Sequence, residues 1–355
     1  MDKARFTPKF TRCSKGVALT LLIVHHMIPN NPGIALSFHD LTFSQYLATS
    51  AKCCVALFMI LSGYGMSFKL RRKEGWAAHW SVAFGQVKKL WLSFVPIFVL
   101  CLFFSASLGV GYRSIYGTGF ISILYFLKDF LGFANLIVIT PTLSGPWWYL
   151  EAAICCYLLA PIFYWMISKS PISAFSSLLI TYLPWFYYAY CGNPTMHTDR
   201  ELFYFFSFVL GMVLSEYQLL DRFVAKIKIW PKLAISLIGT FLISLVRVKL
   251  NLLVDPFLAV GVVLCSVCIC QLSGLFRGAT GILGRDSGSI YMFHATLSTA
   301  FSQVAFIRQD IRIVIFILLC LALGRAYGNC HEGVASLFSN NRAILDSGRP
   351  ASDPK

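Results

Sequence analysis

The chain alternates long apolar runs with short polar breaks, and many of the runs approach the ~20 residues that carry a helix across a bilayer. The first is Lys15-Gly16-Val17-Ala18-Leu19-Thr20-Leu21-Leu22-Ile23-Val24-His25-His26, with a cation at its mouth and two imidazoles at its far end. Runs near residues 15–35, 47–68, 90–109, 147–167, 172–190, 201–219, 233–249, 252–271, 289–306 and 312–330 read as spans. The stretch 115–140 is broken by Lys128-Asp129 and reads as an interfacial or re-entrant helix. The pattern predicts an all-α, polytopic integral membrane bundle of about ten transmembrane helices. It divides into an N-terminal segment 1–14, a membrane-embedded domain 15–330 and a polar tail 331–355 of disordered composition. No internal repeat and no extramembrane domain is visible.

Composition agrees with the pattern. Of 355 residues, 57% are hydrophobic and 13% charged, where soluble domains run at ~45–50% and ~25%. The formal charge of +15 does not indicate nucleic acid, because the cations cluster between apolar runs, as in membrane loops. One cluster is Lys3, Arg5, Lys9, Arg12 and Lys15; a second, in the loop after the second span, is Lys69, Arg71, Arg72, Lys73, Lys88 and Lys89. A third is Arg222, Lys226, Lys228 and Lys232, whereas the loop from Pro29 to Gln45 has no Lys or Arg. Both termini are therefore predicted to be cytoplasmic. Arg247, Lys249, Arg308 and Arg312 fall in outer loops and weaken this count without reversing it. The first run leads into Pro29-Asn30-Asn31-Pro32-Gly33 without a small-residue cleavage site, so it reads as a retained span. Cys265-x-x-Cys268-x-Cys270 imitates a metal or redox spacing, but it lies among Val, Leu and Ile, where Cys acts as a small hydrophobe.

Ionisable groups inside spans are expensive and call for a reason. On a helix Lys15 and His26 differ by only ~20° and lie ~16 Å apart along the axis, while His25 points away by roughly 80°. Adjacent histidines do not share a helix face as zinc ligands at i and i+4 would, and no metal site is expected. Glu151 follows Ser144-Gly145-Pro146-Trp147-Trp148-Tyr149-Leu150, an aromatic interface sequence that starts a span. It is either a carboxylate within reach of water or a partner that orients or charges a histidine. His294, in Tyr291-Met292-Phe293-His294, is either a hydrogen-bonded core histidine or part of a site. Ser62-Gly63-Tyr64-Gly65 offers small residues for close approach of a helix or a ligand. The cations that follow either set topology against anionic lipid or meet a polyphosphate.

These motifs together resemble the acyltransferase 3 family of polytopic membrane acyltransferases. Lys15 with His26 eleven residues on resembles the Arg/Lys-x10-His signature of its first span. Phe58 to Tyr64 resembles its F-x-x-x-SG-[FY] second span, and Lys88-Lys89 through Pro96 its basic segment, here with lysines for the usual arginines. Trp147-Trp148-Tyr149 with Tyr157-Leu158-Leu159-Ala160-Pro161 and the late Tyr291–His294 resemble further family patterns, in order along the chain. The resemblance makes 15–330 the acyltransferase domain. It implies acetyl-CoA as donor and a hydroxyl of a surface polysaccharide (capsule, exopolysaccharide or O-antigen), or its lipid-linked precursor, as acceptor. It places the protein in a bacterial inner membrane. The residues then expected to act are His26 as general base and Lys15 as a donor-positioning charge. Lys88, Lys89, Arg71 and Arg72, with Ser62 and Gly63, are expected to contact CoA; Glu151 and His294 to orient His26 or the acceptor. Sequence leaves open whether His26 instead accepts the acetyl group.

A glycan-lipid flippase or exporter without acyltransferase activity is the competing reading, since transporters also bury His, Glu and Arg. Such folds often carry inverted repeats, which this chain lacks. A lipid-linked glycan polymerase, with large outer loops, ranks behind both.

Overall fold

The computed structural model describes residues 6–27, 37–38, 41–133, 141–191, 199–302, 315 and 317–329. Helix α1 (Pro8–Met27) opens on a proline, whose missing N–H and preset φ suit a first turn. A two-residue antiparallel pair, β1 (Ser37–Phe38) and β2 (Leu41–Thr42), leads into α2 (Phe43–Ala51) and α3 (Cys54–Leu70). Next come α4 (Trp76–Ser107), the short α5 (Tyr112–Tyr116) and α6 (Phe120–Phe130), then α7 (Trp148–Ile167), entered through a tight turn at Gly145–Trp147. Then follow α8 (Pro171–Cys191), α9 (Asp199–Glu216), α10 (Leu219–Lys226), α11 (Ile229–Leu250), α12 (Asp255–Leu272), α13 (Gly274–Arg285) and α14 (Ser287–Ser302). The last described helix is α15 (Ile317–Asn329).

The helical membrane bundle expected from the apolar runs is the fold. Among the described residues, five segments are long and apolar enough to cross a bilayer: Gln45–Leu70, Trp76–Ser107, Gly145–Ile167, Ile229–Leu250 and Leu252–Leu272. Pro171–Pro184, Tyr204–Glu216 and Ile317–Asn329 are shorter apolar helices. The tail 331–355 and the outer-loop cations Arg308 and Arg312 lie outside the described residues, as does most of the loop after α1.

Helix α3 is apolar on every side and is buried almost throughout, as a central helix must be. Its most extensive neighbour is α9, and glycine makes that approach possible. A Cβ on Gly63 would collide with the Phe208 carbonyl, and one on Gly211 with the Ile60 carbonyl. Helix α1 meets α13 in the same manner, Gly16 against the Thr280 carbonyl and Gly284 against the Arg12 carbonyl. Inside a membrane, helices gain little from the hydrophobic effect, so such backbone-close packing supplies much of their association.

Three sequence expectations are revised. Lys88 and Lys89 were placed in a loop, but α4 begins at Trp76 and carries both on a helix of 32 residues. At ~1.5 Å per residue it is about 48 Å long, enough to project well beyond the bilayer. Nothing in Trp76–Val87 breaks a helix, and charge alone suggested the loop. Helix α13 was not anticipated, because its glycines imitate a linker. Its N-terminus is capped by the Ser273 hydroxyl, which accepts the Phe276 N–H at 3.2 Å. Arg247, counted as an outer-loop cation, lies within α11 and is 1% exposed. Its Nε and Nη2 donate to the two Asp255 oxygens at 2.5 and 3.2 Å, which removes it from the charge balance of the loops.

Two stability measurements check these packing arguments on protein purified in detergent. Arg247→Met alone leaves a buried carboxylate unpaired and is expected to cost about 3–5 kcal/mol, whereas Arg247→Met with Asp255→Leu should recover most of that loss. Gly63→Ala should lower the melting temperature through overpacking of about 1–3 kcal/mol. Gly65→Ala, whose Cβ would meet nothing within 4 Å, should leave it unchanged.

Candidate active site

Helix α1 presents different chemistry at its two ends. At the far end, the register that separates the two imidazoles sends His25 to α2 and His26 to α14. His25 Nδ1–H donates to the Ala48 carbonyl at 2.9 Å. His26 stands between two other histidines, with ring centroids 4.9 Å from His25 and 4.9 Å from His294. His294 is buried, and its Nδ1–H donates to the Tyr291 carbonyl one turn earlier on α14. With Nδ1–H given to a carbonyl, each outer ring in its neutral form carries its lone pair on Nε2. The His294 Nε2 is buried without a hydrogen-bond partner among the described residues. His26, by contrast, is exposed, so it is the imidazole of the three with most room for a reacting group. Among the described residues, no group of three His, Cys, Asp or Glu side chains is arranged to hold a metal ion.

At the other end of α1, cations gather around two adjoining cavities. The first, of about 620 Å³, is lined by Lys15, Lys69, Lys89 and Arg285, together with Ser62 and Tyr157. The second, of about 990 Å³, adds Arg12 and Arg71 and shares Lys15, Lys69 and Arg285 with the first. Lys89 and Arg12 act repulsively on Lys15, and Lys89 does so on Lys69. Carboxylates near the mouth are already engaged. Asp286 pairs with Arg325 at 3.5 Å and Arg285 at 3.8 Å. Asp221 accepts the Phe6 N–H at 2.6 Å and the Tyr64 hydroxyl at 3.1 Å. Like charges held together in this way favour a multiply charged anion, which replaces repulsion with charge-assisted hydrogen bonds. The inner wall of the first cavity includes Leu61, Ile97 and Met292, and Met292 lies two residues before His294.

The structure brings some of the expected residues together and separates others. Lys15, Lys89 and Ser62 line the first cavity and Arg71 the second. Ser62 lies beside the phenols of Tyr149 and Tyr157. Lys88 and Arg72 line neither cavity; the Arg72 guanidinium sits over the Phe68 ring, 4.1 Å from its centroid. Gly63 is occupied by its contact with α9. Glu151 is fully buried in the first turn of α7, and the charged neighbours of His26 are His25 and Lys52 rather than Glu151. Sequence reasoning weighed Lys69 with the cations that could meet a polyphosphate, but missed Arg12 and Arg285 as members of the same cluster. Arg12 was counted only as loop charge, and Arg285 ends a helix, α13, that was not anticipated.

A search against protein-family models matches residues 12–327 to one described as an acyltransferase domain. Comparisons with curated proteins and with solved structures give no match. The matched region contains the cations that line both cavities and the three histidines, and with it the chain belongs to the acyltransferase 3 family of membrane acyltransferases.

Proposed function

We propose that the protein transfers an acetyl group from acetyl-CoA to a hydroxyl of a cell-surface polysaccharide or its lipid-linked precursor. The observation that carries this reading is the cavity lined by Lys15, Lys69, Lys89 and Arg285 at one end of α1, with His26 held against His294 at the other end. A polyphosphate with a long, thin thioester arm suits that shape, its phosphates at the cations and its thioester toward the imidazoles. The loop charges favour a basic end facing the cytoplasm of a bacterial inner membrane, with both termini on that side.

In this reading a ring nitrogen of His26 takes the proton of the acceptor hydroxyl as its oxygen attacks the thioester carbonyl. A carbon–oxygen bond forms, the carbon–sulfur bond breaks, and the proton passes from His26 to the departing thiolate. His294, its Nδ1–H committed to a carbonyl, packs its ring against that of His26 and so helps to place it. Lys15 and Lys89 hold the donor phosphates without meeting the reacting carbon. Lys88 and Arg72 are assigned no role in donor binding, and Glu151 a supporting one within α7.

Two experiments check the assignment. His26→Ala should abolish O-acetyl signals in the NMR spectrum of the purified polysaccharide while the protein still inserts, and His25→Ala should be milder. Equal O-acetyl content in wild type and His26→Ala would overturn the reading. In detergent, the purified protein should release free CoA from acetyl-CoA in the presence of alkali-de-O-acetylated polysaccharide, which a flippase would not do. In that assay Lys15→Gln and Lys89→Gln should raise the KM for acetyl-CoA about tenfold or more each, with a smaller change in kcat, as loss of uniform binding requires.

A further inference from the structure

Between α4 and α7 the chain makes an excursion whose described residues line neither cavity. Its two short helices, α5 and α6, enclose Asp129, a carboxylate that is 1% exposed. Burying a carboxylate is costly unless its oxygens are hydrogen-bonded, and here both are. Oδ1 accepts the Thr142 hydroxyl at 2.9 Å. Oδ2 accepts the Tyr116 hydroxyl at 2.7 Å and the Leu143 N–H at 2.8 Å. The carboxylate therefore ties α5, α6 and the turn before α7 into one unit.

The other side of that turn grips the helix that carries His294. The Trp147 indole N–H donates to the Met292 carbonyl at 3.1 Å. The Tyr291 hydroxyl donates to the Pro146 carbonyl at 3.4 Å. Trp147 is itself 1% exposed and wedged against Phe94 and Phe98, with ring centroids at 4.9 and 5.6 Å. Tyr291 supplies the carbonyl that orients His294. An unbroken series of contacts thus runs from Asp129 through residues 142–147 to Tyr291 and Met292, and from there to His294 and His26.

We propose that Asp129 is a positioning residue for acyl transfer: by anchoring the 142–147 turn it sets the height and rotation of α14, and so the placement of His294 against His26. The inference rests on the reading that these histidines carry the chemistry. It assigns Asp129 no contact with donor or acceptor. Asp129→Asn is a sharp test because the side chain keeps its shape but loses an acceptor oxygen. Its amide N–H₂ must then face a group that had been donating to the carboxylate.

The experiment uses the full chain purified in detergent, with acetyl-CoA as donor and alkali-de-O-acetylated surface polysaccharide as acceptor. Asp129→Asn, Trp147→Phe and the double variant are compared for kcat and donor KM, with size-exclusion elution and melting temperature recorded for each. Displacing a catalytic group by a fraction of an ångström to an ångström is costly, so each single variant should lower kcat about tenfold or more. The donor KM should stay within about twofold, because uniform binding is untouched. The double variant should be no slower than Asp129→Asn alone, since both substitutions interrupt one series of contacts and so fail to add. Wild-type kcat in either single variant, a matching rise in KM, or losses that multiply in the double variant would each overturn the proposal. If Asp129→Asn does not fold, Trp147→Phe decides alone by the same kcat and KM criteria. If His26→Ala keeps full turnover, the reading that these histidines carry the chemistry and this inference fall together. If His26→Ala is inactive and Asp129→Asn is not impaired, only the inference falls.

Discussion

The site depends on the backbone-close contact between α1 and α13. Gly16 and Gly284 allow it, and a side chain at either would strike the opposing carbonyl. Each glycine has a cation as its immediate neighbour, Lys15 before Gly16 and Arg285 after Gly284. The same contact that joins the helices therefore brings two positive charges to one cavity. Helix α14 starts two residues after Arg285 and reaches α1 again where His294 meets His26. One helix crossing thus fixes both ends of the site.

The two ends follow opposite electrostatic rules. At the basic end, cations crowd one another around open cavities, a costly arrangement that an anionic ligand relieves. Deeper in the bundle, charge is neutralised or avoided. Arg247 and Asp255 form a two-pronged pair, and His25 and His294 commit their Nδ1–H groups to backbone carbonyls. An ion pair of this kind contributes little net stability, yet losing one partner is severe, because an uncompensated charge remains in a medium that solvates it poorly. Imidazole is suited to the inner end because its neutral form both donates and accepts a hydrogen bond and can exchange a proton.

Much of this was legible in the chain. The apolar runs implied the helical membrane bundle, since a segment of that length and composition has few other stable forms in lipid. The eleven-residue spacing from Lys15 to His26 put both on one face of a helix and His25 on another, which matches the separate neighbours of the two imidazoles. Where the reading failed, local signals conflicted with tertiary ones. Lys88 and Lys89 resembled loop charge although α4 extends past them. Helix α13 was concealed by glycines that serve packing rather than flexibility. Gly63 carried two readings, and only the position of Phe208 in the folded chain shows that a neighbouring helix occupies its surface.

By itself, then, the sequence determined the class of the protein, the helical register of its first span and the membership of its motifs in one family. These are local properties, set by the period of a helix and by the length a bilayer demands. The tertiary structure decided which cations share a cavity, which histidines touch and which carboxylates are already engaged. Those outcomes depend on how closely particular helices approach, and residues far apart in sequence settle that distance through the volume of their side chains. His26 and His294 are 268 positions apart in the chain, yet their rings meet because small residues elsewhere let the helices that carry them come together.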